Sequence, residues 1–295
     1  MILSFEFACG APFSQIALQN AKSGINTLDP ELSPKKESRI THRIIPTLTM
    51  RKLYLLFIPL LFIGSLETRA QVNTIAYVWE MTPRFGHSEM VADALHEHMQ
   101  WRIANGDTWN WDIFEVVTGS DYGSFYARSG SHTWADIDNY SLEGASEHFN
   151  STVVPHLESL TNTITQGLPE LTNMPPPDDM SLYHLVFYDV IPSKQGQMMK
   201  AIGKFSEIIS EKAPDQYHAF ATIVAGGDGS SVLGVFPRAS WADFEESDPS
   251  IEQMLSEALG PEGAQELFME FTTSIRGETN SVLMHRKDLS SMWIE

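Results

Sequence analysis

The sequence is poor in cysteine and in basic residues. Its 295 residues hold one cysteine, Cys9, so no disulfide can form within the chain. Lys and Arg number 19 against 38 Asp and Glu, a formal net charge of −19. A surface so short of cations cannot neutralise phosphates, which excludes nucleic acid as a partner. The same deficit argues against anionic lipid surfaces. Nucleophile motifs are missing too: there is no Gly-x-Ser-x-Gly elbow and no cysteine placed for attack. Metal patterns fail on geometry. His96 and His98 stand two apart on a helical stretch and point to different sides. The acids of Asp136 to Glu147 resemble a calcium loop, but Ser141 stands where the turn needs glycine. The Gly-rich run at 226–229 joins two strands and opens no helix, so it reads as a turn. No metal is expected.

What is present begins with a targeting signal. From Met50 the chain reads MRKLYLLFIPLLFIGSLETRAQ. Arg51 and Lys52 precede an apolar run from Leu53 to Ile63, and Thr68-Arg69-Ala70 ends it with small residues where a signal peptidase inspects them. The run is too short for a membrane span. Residues 50–70 are therefore expected to be a signal peptide, and the protein exported, periplasmic or secreted. Residues 1–49 show no sustained apolar period and read as a non-native or disordered extension. The chain after Ala70 holds 11 Lys and Arg against 33 Asp and Glu, a net of −22, and no cysteine. No membrane span is expected in it.

The chain then repeats itself. HTWADIDNY at 132–140 returns as ASWADFEES at 239–247. The flanks return as well. Pro83 lies 51 residues before Trp134, and Pro192 lies 49 before Trp241. Each half reads as strand, helix, strand, strand, helix, strand. Ile75 to Met81 is aromatic and β-branched, as strands are. Val91, Ala94, Leu95, His98, Met99 and Arg102 follow helical spacing up to Asn105-Gly106, with Ser88 as the expected cap. Strands are predicted at Trp109–Val117 and Ser124–Ser129, and a fourth near Leu168–Asn173, after a helical region that Pro155 breaks. In the second half Met198, Ile202, Phe205, Ile208 and Ile209 form an apolar helical stripe, Asp248-Pro249 opens a helix, and Ser281–His285 closes the sheet. The division is 71–174 for the first unit, 175–181 for a Pro-rich linker and 182–295 for the second unit. The repeated tryptophan is read as a plug between sheet and helix. Asp136 and Asp243 are read as favouring a helix start.

A βαββαβ unit with Trp-x-Asp after its third strand resembles the dimeric α/β-barrel superfamily, which includes the antibiotic-biosynthesis-monooxygenase-like proteins. The resemblance covers nearly all of Gln71 to Leu289, by pattern rather than by long identical stretches. It implies an α+β fold: two tandem ferredoxin-like units whose sheets face each other as an intramolecular, pseudo-dimeric α/β barrel, with a pocket between the sheets. It implies a monomer built this way, or a homodimer. Some relatives bind or degrade haem. Trp134 matches their motif, but Tyr77 or Trp79 stands where an Asn belongs, and His148 is the remaining counterpart for their histidine. Chlorite-dismutase-like relatives carry an axial His on a helix of the second half, where this chain has only His184, His218 and His285, all on predicted strands. No cofactor is therefore expected, with haem the one the resemblance leaves open.

Strand parity selects candidate site residues. Ile75, Tyr77, Trp79 and Met81 share a face, as do His184, Val186, Tyr188 and Val190. The alternate face, with Ala76, Val78, Leu185 and Phe187, is more aliphatic and is assigned to the helices. The aromatic, polar-tipped face is assigned to the space between the sheets, where Trp111, His132 and His218 join it. The expected ligand pocket is thus Tyr77, Trp79, Trp111, His132, His184, Tyr188 and His218. The function this implies is binding of a small hydrophobic or aromatic molecule. Two alternatives stand beside it: a monooxygenase-like enzyme, cofactor-free or haem-dependent, and a structural protein whose barrel is filled by its own side chains.

Overall fold

The computed structural model describes residues 74–176, 179–227 and 231–292. The extension 1–49, the signal-like segment 50–70 and part of the linker lie outside the described residues.

Eight strands pair antiparallel in one closed ring. They are β1 (Ile75–Pro83), β2 (Asp112–Thr118), β3 (Phe125–His132), β4 (Leu157–Gly167), β5 (Leu182–Val190), β6 (Ala219–Ala225), β7 (Ser231–Arg238) and β8 (Ile275–His285). The ring order is β1-β3-β2-β8-β5-β7-β6-β4, with β4 closing back on β1. Within each half the order is fourth, first, third, second. The halves join where β2 meets β8 and where β4 meets β6. Helices α1 (Ser88–Ala104), α2 (Trp134–Asn139), α3 (Ala145–Thr152), α4 (Gln195–Lys212) and α5 (Ile251–Thr272) connect the strands. The fold is α+β, with two cores between strands and helices and a smaller cluster of strand side chains.

The helical stripes are where the spacing puts them. On α1 the buried residues are Val91, Ala94, Leu95, His98, Met99 and Arg102. On α4, Met198, Ala201, Ile202, Phe205 and Ile208 face in, with Ile209 partly buried beside them. Asn105 caps α1 and Gly106 follows in the left-handed region, φ 74°.

Four expectations need correction. The fourth strand is β4, Leu157–Gly167, and not 168–173, because Pro155 ends the helical region in a short 3-10 turn and the chain extends at once. β4 puts Thr161, Thr163 and Thr165 on one face, so it lacks the apolar signature of a strand. The caps shift slightly: His87 rather than Ser88 precedes α1, and Ser250 with Gln253, rather than Asp248-Pro249, caps α5. The repeated tryptophans are not plugs. Trp134 and Trp241 are 47% and 52% exposed. What the motif builds is a capping box, Thr133 with Asp136 and Ser240 with Asp243, each acid bonding the cap residue's N–H. Asp136 thus starts α2 as expected, while Asp243 starts only a short 3-10 turn, Trp241–Phe244.

The fourth correction concerns the sheet faces, which are reversed. The alternation was read correctly, but Tyr77, Trp79 and Met81 pack with Val91, Leu95 and Met99 of α1. Val186, Tyr188 and Val190 pack with Met198, Ile202 and Phe205 of α4 and Phe271 of α5. The inward face carries Val116, Leu185 and Leu283, with Phe114, Tyr126, Tyr183, Phe187, Leu233 and Val235. The helices bring Val, Leu, Met and Ala and take the large strand rings as partners.

Candidate active site

The seven expected pocket residues fall into two groups, one per half, both on the helix-facing side. Tyr77, Trp79, Trp111 and His132 come together in the first half. His184, Tyr188 and His218 lie in the second half, but in separate surroundings. Tyr188 meets Phe271 edge-on, its ring centroid 5.3 Å away. His218 spends both ring nitrogens, on Ser206 Oγ at 2.7 Å and the Gln216 carbonyl at 3.0 Å. His184 sits between Phe236 and Phe244, with Nδ1 buried and unpartnered.

The first-half group is denser than the sequence indicated. Trp109 is its centre, stacked on His132 at 3.9 Å and on Tyr140 at 3.8 Å. Tyr77 meets Trp79 and Trp109 edge-on at 5.9 and 6.2 Å. Tyr77, Trp79 and Tyr140 are only half-buried and keep ring surface accessible.

A backbone irregularity aims His132. Between β1 and β3, Ser129 pairs with Tyr77 and His132 with Ile75, so β3 carries one extra residue. Ser131 absorbs it at φ 63°, the single non-glycine residue with positive φ among those described. Regular alternation after Ala127 and Ser129 would turn His132 to the inner face. The bulge turns it to the helix side, onto Trp109. There its Nε2 lies 2.7 Å from Ser129 Oγ. Burial lowers its pKa, against a smaller raising effect of Asp136, so the ring is neutral at pH 7.

A polar network holds the far side of the cluster. Arg102 Nε donates to Asp107 at 2.6 Å, and its guanidinium also reaches the Tyr140 hydroxyl. Tyr140 donates to the other Asp107 oxygen at 2.9 Å, and Trp111 Nε1 donates to Asp107 at 3.2 Å. The guanidinium lies over the Trp111 ring at 4.7 Å. Arg102 Nη1 faces His98 Nε2 at 3.4 Å, so that nitrogen accepts and the proton sits on Nδ1, 3.1 Å from His148 Nδ1. Burial first, then Arg102, then His148, lower the His98 pKa to about 3. His148 Nε2 in turn lies 4.0 Å from the exposed Glu97. His98, Arg102 and His148 were legible as residues, but Asp107 and Tyr140 were missed: Asp107 lies in the turn after α1, and Tyr140 ends the HTWADIDNY stretch at a position its second copy does not share.

An open cleft of about 430 Å³ lies nearby between α1 and α3, lined by Met90, Asp93, Ala94, Glu97, Ser151, Thr152 and His156. It is acidic and contains none of the stacked rings. Among the described residues no group of three or more His, Cys, Asp or Glu could hold a metal, and no helix is long and apolar enough to cross a membrane. The second-half histidines that the resemblance points to do not stand on a helix as the relatives' axial histidine does: His184 and His285 lie on β5 and β8, and His218, just before β6, has both ring nitrogens bonded.

A comparison with protein-family models and with curated proteins yields no match. Solved structures do match. The chain is similar to an anthrone oxidase-like protein, with TM-score 0.50 and 12% identity over 73% of this chain and 92% of that one. It is similar to a monooxygenase candidate from Fusobacterium nucleatum subsp. nucleatum, with TM-score 0.50 and 10% identity over 73% and 93%. A chlorite dismutase from Candidatus Nitrospira defluvii follows with TM-score 0.44 and 7% identity over 72% and 92%, a likeness too slight to bear on haem. At these identities the first two matches speak to the fold: this chain has that of the dimeric α/β-barrel superfamily.

Proposed function

We propose that the chain is a monooxygenase-like enzyme that oxidises a small, electron-rich aromatic molecule against the wall of Tyr77, Trp79, Trp109 and His132, without a bound cofactor. The observation that carries this reading is the bulge at Ser131. A left-handed serine in a strand is strained. Its local consequence is to set a neutral imidazole on the buried Trp109 ring, which the half-buried Tyr77 and Tyr140 flank. That combination suits substrates whose own anion reacts with oxygen. The neutral His132 takes a proton from an activated C–H or phenol. The rings hold the aromatic body by stacking and exclude water. The resulting anion gives an electron to O₂, and recombination and loss of water yield a ketone or quinone. For anthrone, whose oxidase-like namesake shares the fold, the balance is one CH₂ and one O₂ giving one C=O and one H₂O. The substrate supplies every electron, so no external reductant enters.

The finer architecture belongs to the same reading. The two halves are taken as tandem βαββαβ units that make in one chain the barrel two subunits would otherwise share. The shared strand order and the paired capping boxes support this. On this reading the units are not equivalent, because the second lacks the stacked wall and only the first is catalytic.

Oxygen consumption with anthrone and a panel of naphthols tests the proposal. The protein is expected to raise uptake above the protein-free rate, and His132→Ala to lower it by about 10²- to 10⁴-fold without lowering the melting temperature to match. Uptake that persists in His132→Ala would remove His132 from the mechanism. Binding without uptake would leave a small-molecule carrier.

A further inference from the structure

The inner face of the ring is not packed shut. Val78, Phe114, Tyr126, Tyr183, Phe187 and Leu233 point inward, yet each is only partly buried. Arg128 points the same way, opposite Val78 on one neighbour and Asp112 on the other. Its side chain is accessible to water, although protein surrounds the guanidinium closely enough for burial to lower its pKa. Six partly accessible side chains and an accessible arginine on the inner side of a closed ring leave a hollow between them. The guanidinium rests over Gly130, where a Cβ would come within 2.5 Å of it. Among the described residues Arg128 has no ion pair and no hydrogen bond. Asp112, the acid facing it, attracts it from beyond ion-pair distance and lies 3.5 Å from His285. Glu80, also on the inner face, has its pKa raised by burial and is bonded to Tyr126.

We infer that the ring encloses a binding site for a small carboxylate with an apolar body, the carboxylate on Arg128 and the body against Phe114, Tyr126, Phe187 and Leu233. A guanidinium facing an apolar hollow gains from an anionic partner, and it pairs best with a planar carboxylate through two parallel bonds. Aromatic and aliphatic walls with one fixed charge make a site for an amphiphilic anion rather than for a bare ion. In a chain as acidic as this one, few other anions would be drawn to the interior without such an anchor. The hollow is on the opposite face of the sheet from the Tyr77–His132 wall, and the inference does not rest on the proposed oxidation.

Calorimetric titration of the purified protein at neutral pH with 2-naphthoate, 2-naphthalenemethanol and inorganic phosphate tests it. The naphthoate is expected to bind one to one. Arg128→Gln should weaken it by at least about tenfold, since a charge-assisted pair is lost. Arg128→Lys should recover part of the loss, and the neutral alcohol should bind wild type and Arg128→Gln alike. Leu233→Trp, which fills the hollow from the opposite wall, should block naphthoate with Arg128 intact, and it decides the matter if Arg128→Gln fails to fold. Naphthoate binding that is absent, or unchanged in both variants, would overturn the inference. So would phosphate binding as tight as naphthoate binding.

Discussion

Moving from pH 7.5 to pH 5 should cost this protein stability through His98, and the amount can be worked out. In the unfolded chain the imidazole titrates near 6.5, and in the folded protein near 3. A native value below the unfolded one means that protons bind the unfolded chain more tightly. Stability is therefore fully present above about 6.5 and is lost as the pH falls toward 3. At pH 5 the folded ring is still neutral while nearly every unfolded ring is charged, so the loss is set by the unfolded value. It comes to RT ln(1 + 10^1.5), about 2 kcal/mol. Other groups move too. His132, His184 and His218 are lowered mainly by burial and act in the same direction. Glu80 and Glu278 are raised by burial and act oppositely. The His98 share is isolated by His98→Gln, whose amide can still accept from Arg102 and donate to His148 but does not titrate. Urea unfolding followed by circular dichroism, for both proteins at both pH values, gives four free energies. The variant's deficit at pH 7.5 should shrink by about 2 kcal/mol at pH 5. Equal deficits at the two pH values would show that the native His98 is not held neutral, and the network from Arg102 to His148 would have to be redrawn.

Other consequences are simpler to read. Thr133→Ala should cost about 1 kcal/mol in thermal or urea unfolding, because it removes a capping box. Trp134→Ala should change stability by less than about 0.5 kcal/mol, because the ring is largely exposed. The reverse order would reinstate the tryptophan as a plug. Residues 71–174 expressed alone should associate or aggregate, since β2 and β4 would lose their partners β8 and β6 and leave two bare edges. A well-behaved monomer of that fragment in sedimentation would contradict the closed ring. Export, which we propose from the segment at 50–70, predicts a mature protein beginning near Gln71 by N-terminal sequencing. A mature chain that retains residues 1–49 would refute it.

Periodicity carried the fold. The α1 stripe was legible down to its two polar members because a helix repeats its buried face every three to four residues. The alternation of strands and helices along the chain followed from the repeat. What alternation cannot supply is which face of a strand looks at which layer. The choice rested on aliphatic content, and that guide failed because methionine, leucine and valine on α1 accept aromatic partners readily. Nor can alternation survive an inserted residue. The extra residue before His132 changes its side, and nothing in Ser129-Gly130-Ser131-His132 announces a bulge except the glycine. Asp107 and Tyr140 escaped for another reason. Asp107 bonds Trp111, Arg102 and Tyr140, which are 4, 5 and 33 residues away, and only the folded chain brings the four to one point. The tryptophan repeat was read for its largest residue, whereas the informative spacing was the Thr or Ser three before the Asp.

The central claim is that this chain puts one atom of molecular oxygen into an aromatic substrate at the Trp109–His132 wall. Mass spectrometry of the product formed from anthrone under ¹⁸O₂ tests it most directly. The account predicts a quinone carrying one heavy oxygen, formed faster than without protein, with the excess lost in His132→Ala. Product formed no faster than in the protein-free control, or equally fast with His132→Ala, would contradict it.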